Sequence, residues 1–187
     1  MVKIAFRDSR LRNTALLIID AQMRIINPIE NKEYILKNIK KLLKSYNILE
    51  KNIFFSEQNP HKLGGTINNL IPSEGFEIIT KMDFSLANNK ILLNHLNKGR
   101  INKLIICGFE THICIQQSVL DFLNLNFEVF IVADAMASRN KFDHEIALQR
   151  MCSKGASITS TESIIFELCK TSSRKEFKEI SNIIKNK

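Results

Sequence analysis

The chain has 187 residues, of which 44% are hydrophobic and 25% charged. That balance allows one packed core, excludes wholesale disorder, and contains no apolar run near the roughly 18 residues of a membrane span. Lys and Arg outnumber Asp and Glu by 27 to 19, and the excess sits in residues 37–51 and 170–187.

Short apolar runs alternate with amphipathic stretches along the chain. The first run is Ala15–Ile19, ending at Asp20, followed by a helical pattern near 31–46. There Lys37, Lys40, Lys41 and Lys44 recur opposite Leu36, Ile39 and Leu43, which reads as a solvated helix face. Asn52–Ser56 and Phe76–Thr80 are the second and third runs, with a helix predicted near 86–98. Lys103–Cys107 leads into a helix near 112–125, and Glu128–Ala133 ends at Asp134 before a helix near 141–153. A weaker run, Ala156–Thr159, precedes helices near 162–170 and 174–186. Short Ile- and Val-rich runs are the mark of buried parallel strands. The alternation predicts a single α/β domain over 1–187. It would be a three-layer Rossmann-like sandwich with a mostly parallel sheet of about six strands.

Ligands of such sheets bind beyond the carboxyl ends of the strands. The positions to inspect are Asp20 and Gln22, Gln58 and Asn59, Lys81 and Phe84, Gly108 to Cys114, and Asp134 to Arg139. Cys114 follows a strand-to-helix turn in which Thr111 is the expected N-cap. A thiol in the first turn of a helix would have its pKa lowered and be the better nucleophile for it. The alternative is a buried structural thiol. Asp20, closing an apolar run, needs a partner or water, and a backbone-capping role would also meet that need. Lys81 ends a strand, where a surface lysine is the ordinary reading. Together the three could converge on one crevice as nucleophile, proton carrier and supporting cation.

The remaining residues say less. Cys107, Cys114, Cys152 and Cys169 form no C-x-x-C pair and no zinc spacing, so reduced thiols are expected. Cys107 reads as core, and Cys152 and Cys169 as inert helix residues. His95 and His144 read as surface residues. Asp134, Ser138 and Arg139 read as organisers of the loop after the fifth run. With no Trp and only Tyr34 and Tyr46, there is no stacking platform, and nucleic acid is not an expected partner. No secretory h-region is present, which points to the cytoplasm. Lys3, Arg7, Arg10 and Arg12 leave a short organellar presequence open, with Asp8 against it.

The motifs carry a resemblance. Leu16–Gln22, Ser56–Gly64, Lys81–Ser85, Gly108–Gln117, Ala133–Ala135 with Ser138–Arg139, and Phe177–Ile180 resemble the isochorismatase-like cysteine hydrolase superfamily. That superfamily includes nicotinamidases and carbamoyl-sarcosine amidases. The chain is most similar to its isochorismatase domain-containing proteins, from about residue 12 to 185. By motif position the resemblance implies a catalytic triad of Asp20, Lys81 and Cys114. It also implies a cis peptide between Phe109 and Glu110, aiming the N–H of Glu110 with that of Cys114 at an oxyanion. Gln22, Gln58, Phe84 and His112 are candidates for the substrate pocket, His112 equally for a spacer in the turn. Metal-dependent nicotinamidases carry Asp-x-His where this chain reads Gln58-Asn59-Pro60, and His61 lacks a ligand partner. No metal and no cofactor are therefore expected, and nicotinamide is a poor substrate guess. Isochorismatases that cleave the enol ether lack the nucleophilic Cys, so Cys114 argues against isochorismate. The expected function is hydrolysis of a small amide or imide C–N bond through an acyl-cysteine, by a homo-oligomer. The competing reading is a vestigial member acting as a protein- or RNA-binding module.

Overall fold

A computed structural model describes Leu11 and residues 13–185. The basic N-terminal positions Lys3, Arg7, Arg10 and Arg12 lie outside the described residues. Six strands form one sheet: β1 (Thr14–Ile19), β2 (Asn52–Gln58), β3 (Phe76–Lys81), β4 (Lys103–Phe109), β5 (Glu128–Ala137) and β6 (Ser157–Thr159). Their order is β3-β2-β1-β4-β5-β6, and every pairing is parallel. Every residue of β1 is buried, because it lies at the centre with helices on both faces. The pleat sorts its side chains. Leu16 and Ile18 join one core, and Ala15, Leu17 and Ile19 the other.

The first core lies under α2 (Lys32–Ile48), α7 (Thr161–Cys169) and α8 (Phe177–Lys185). The second lies under α4 (Lys90–Lys98), α5 (Gln116–Asn124) and α6 (Lys141–Ser153). Helix α2 packs on α8, and Lys41 Nζ donates to the Ile184 carbonyl. The two basic stretches of the sequence therefore share one layer. Two single-turn helices, α1 (Met23–Ile26) and α3 (Pro60–Leu63), sit at the carboxyl edge of the sheet. The predicted helix near 86–98 begins only at Lys90. There the Asn89 side chain accepts from the N–H groups of Ile91 and Leu92.

The strand order reverses between β1 and β4, since β1 is followed by β2 on one side and β4 by β5 on the other. A crevice opens beyond the carboxyl ends of strands at such a switch point. Gly108 makes this junction possible. It has φ of +118°, and a Cβ there would stand 2.1 Å from the Ile19 carbonyl oxygen. The same residue marks a register shift in the β4–β5 ladder, after which Gly108 pairs with Met136 and Phe109 with Ala137. Strand β5 thus continues past Asp134, where the sequence predicts its end.

Candidate active site

Asp20 is the first residue beyond β1 and adopts φ of +50°, a left-handed conformation uncommon outside glycine. Strand β2 holds it there. The Asp20 N–H donates to the Ser56 carbonyl at 3.1 Å and lies 3.2 Å from the Ser56 hydroxyl. That hydroxyl donates back to Asp20 Oδ1 at 2.6 Å. Oδ2 receives Lys81 Nζ at 2.7 Å, with both side chains almost wholly excluded from solvent. Buried charges survive only when paired and hydrogen-bonded. Lys81 meets that condition in full, since its ammonium also donates to Gln58 Oε1 at 2.7 Å and to the Phe84 carbonyl at 3.1 Å. Gln58 is fixed in turn by Nε2 donating to the Met82 carbonyl at 2.7 Å. The result is a locked ion pair that carries no net charge.

Cys114 faces this pair from the other side of the switch point. The Phe109–Glu110 peptide is cis, and Thr111–Ile115 form a π-helical turn that leads into α5. Thr111 is not the N-cap. Glu110 takes that position without a side-chain cap bond, and Thr111 Oγ1 lies 2.9 Å from His144 Nδ1 instead. The turn is tied down by Ser118, which donates to the Cys114 carbonyl at 2.6 Å and accepts from the Leu86 N–H at 2.8 Å.

The Cys114 thiol is pushed up to about 12 by burial first and the Asp20 carboxylate second, with Lys81 pulling the other way. This reverses the lowered pKa expected from a helix start. The thiol is almost buried beside a carboxylate, and both effects disfavour the thiolate more than the nearby cation favours it. Burial and the neighbouring carboxylate both favour the protonated thiol.

A cavity of about 240 Å³ opens over the sulfur. Gln58 and Phe84 form part of its wall, with Ile25, Leu63 and Ile113 as further apolar lining and Arg24, Glu110 and Arg139 at its polar side. Gln22 and His112 are not in that wall. Gln22 is fully buried and its amide is spent on backbone: Oε1 accepts from the Gln58 N–H at 2.8 Å, while Nε2 donates to the carbonyls of Gln58 and Gly64. It pins the loop after β2 rather than facing a ligand. The His112 ring is held through Nδ1, 2.9 Å from Ser138 Oγ.

Asp134 accepts from the Thr161 N–H at 2.7 Å and from its hydroxyl at 2.9 Å, and so starts α7. Arg139 ties the loop after β5 to Glu110, its N–H donating to Oε1 at 3.0 Å, and also lines the cavity. His144 is half-buried rather than a surface residue, and burial lowers its pKa. Cys107 and Cys169 are buried and Cys152 is half-buried, all as free thiols. Among the described residues no group of three or more His, Cys, Asp or Glu is placed to hold a metal, and no helix is long and apolar enough to cross a membrane.

Sequence reasoning gave Ser56 and Arg24 no role in the site. Ser56 lay inside an apolar run and reads as strand. Arg24 lies on α1, a helix too short to leave a periodic signal.

Residues 14–163 match the family model of the isochorismatase domain. Isochorismatase family protein 1B of Dictyostelium discoideum is 38% identical over 93% of this chain and 87% of its own length. Among solved structures, a protein described as MAR1 ribonuclease from Caenorhabditis elegans is 30% identical. It superimposes with a TM-score of 0.87 over 92% of this chain and 89% of its own. The YcaC gene product of Escherichia coli, described as an octameric hydrolase of unknown specificity, shares the fold at 18% identity. Its TM-score is 0.82 over 92% of this chain and 86% of its own.

Proposed function

Because the chain belongs to the isochorismatase family of hydrolases, we propose that it hydrolyses a small amide or imide C–N bond without a metal, using Cys114, Asp20 and Lys81. The supporting observation is the convergence of the Cys114 thiol and the buried Asp20–Lys81 pair on one cavity. Asp20 takes the thiol proton as the sulfur attacks the substrate carbonyl, forming the S–C bond. The carbonyl oxygen becomes an oxyanion, received by the N–H groups of Glu110 and Cys114. Collapse of the intermediate breaks the C–N bond, and Asp20 returns its proton to the departing nitrogen. Water then attacks the thioester with Asp20 as base. The acid is released and the thiol restored. The Lys81 ammonium, held against Asp20, steadies the negative charge that develops on sulfur and carboxylate. A protonated resting thiol suits this cycle, since the proton to be moved is present at the start.

A single-domain homo-oligomer is proposed as well, on the likeness to the octameric relative, with light scattering as its check. The whole reading is tested by a turnover screen of small amides with Cys114→Ser, Asp20→Asn and Lys81→Met. Each variant is expected to lose at least ~10²-fold in kcat/KM with its fold intact by circular dichroism. Undiminished turnover in Cys114→Ser overturns Cys114 as the nucleophile, and no turnover of any amide by the wild-type protein favours the binding-module alternative.

A further inference from the structure

Beside the cavity over Cys114 lies a second one, of about 290 Å³, which the hydrolytic chemistry above does not use. It is built from the start of α2 and the chain after β5, with Ile29, Tyr34 and Ile35 on one side and Met136, Ser138 and His144 on the other. The two cavities share a wall. Arg139 lines both, and Pro28 of the first is followed directly by Ile29 of the second. The part of this partition able to rotate is the Arg139 side chain, which is 60% exposed, while its backbone N–H is tied to Glu110. Small-molecule sites span roughly 300–1,000 Å³. At about 240 and 290 Å³ each cavity alone falls short of that range, and the two joined lie within it.

The second cavity offers apolar surface rather than net charge. Glu30 and Asp134 are balanced there by Arg139 and Lys141. Three of these four have partners: Asp134 holds Thr161, Arg139 lies by Glu110, and Lys141 Nζ is 3.8 Å from Glu145. Ser138 and His144 are engaged with His112 and Thr111. Ile29, Ile35 and Met136 are buried and supply an apolar floor, and Tyr34 beside them leaves a large ring 57% exposed. Aromatic rings pair with other rings by offset or edge contacts. An apolar cavity of about 150 Å³ takes up benzene, so this one has room for a ring and its linker.

We propose that the two cavities make one substrate site, selecting amides or imides with a neutral, ring-sized apolar arm that lies in the second cavity beside Tyr34. This deepens the hydrolase reading above and rests on it. The substrate carbonyl sits over Cys114, and the arm passes the Arg139 side chain.

The experiment needs no knowledge of the natural substrate. Iodoacetamide and its N-phenylalkyl derivatives, with spacers of increasing length, alkylate a thiol in one way: the S–C bond forms as the C–I bond breaks, iodide leaves, and the thiol proton passes to solvent. They are applied to the intact protein at pH 9, with the modified cysteines identified by mass spectrometry. Half-buried Cys152 is the reference within the same molecule, where the rate should not depend on the spacer. At Cys114 the rate is expected to pass through an optimum at one spacer length and to saturate with concentration. The best derivative should outpace N-methyl iodoacetamide by about tenfold or more, as burial of a ring-sized apolar group implies. Arms ending in an ammonium or a carboxylate should gain less than the ring. Tyr34→Ala is expected to cut the advantage, Tyr34→Phe to keep it, and Phe142→Ala, which removes an exposed ring outside both walls, to leave it in place.

Labelling of Cys114 by plain iodoacetamide with no advantage for any arm overturns the inference and leaves the hydrolase reading intact. A charged arm that outpaces the ring, or an advantage that survives Tyr34→Ala undiminished, also overturns it. If even plain iodoacetamide does not reach Cys114, the first cavity does not open onto the sulfur, and both readings fall.

Discussion

At the residue scale the informative atom is the Cys114 sulfur. A helix-start argument alone lowers its pKa, yet burial and Asp20 raise it to about 12. The reversal has a practical sign. Below that value the thiolate fraction grows about tenfold per pH unit, so iodoacetamide labelling of Cys114 should climb steadily from pH 7 to 10 with no plateau. Removing the carboxylate in Asp20→Asn takes away the second largest cause of the raised pKa. Labelling of that variant should be faster at pH 8 while its amide turnover falls. A thiol activated by Asp20 in the resting state would show the opposite, slower labelling. The two behaviours separate a base that acts during attack from one that maintains a standing thiolate.

At the scale of elements, the β1–β4 junction carries the site. Gly108 has no room for a side chain against Ile19, the residue before Asp20. Gly108→Ala must displace the end of β1 or the turn after β4, besides adopting an unfavourable φ. It is expected to destabilise the fold by roughly 2–4 kcal/mol, which thermal unfolding would detect as a fall of order 5–15 °C for a chain of this size. Its amide turnover should fall further than its stability at the assay temperature accounts for. The strands were legible in the sequence because burial on both faces leaves continuous apolar runs, as Leu16–Ile19 shows. Strand β5 was cut short because Asp134 interrupts its run, whereas the ladder resumes after the bulge through Met136 and Ala137. The π-helical turn left no signal, since Thr111–Ile115 has the composition of an ordinary helix start. Gln22 was misplaced for another reason. A polar residue just past a strand end can face a ligand or staple a loop, and only the three backbone groups around its amide decide between them.

At the scale of the whole molecule, buried acids set the alkaline limit. Burial raises the pKa of Cys107, Cys114 and Tyr46 above their ordinary values. Unfolded, the two thiols would begin to ionise near pH 9 and the phenol near pH 10. Folded, all three keep their protons. The native state then binds more protons than the unfolded one, so stability falls as pH rises through and beyond 9. The midpoint of thermal unfolding should decline between pH 9 and 10.5, and Cys107→Ala should flatten that decline. The sheet order has another consequence. Strands β3, β2 and β1 come from the first half of the chain and β4, β5 and β6 from the second, meeting only along β1–β4 within the sheet. Asp20 and Lys81 belong to one half, Cys114 and Arg139 to the other. Severing the chain at the exposed Asn88 therefore yields two fragments, neither of which holds a complete site. Each would be inert alone, and hydrolysis regained on co-refolding would report their reunion, making the molecule a natural template for complementation.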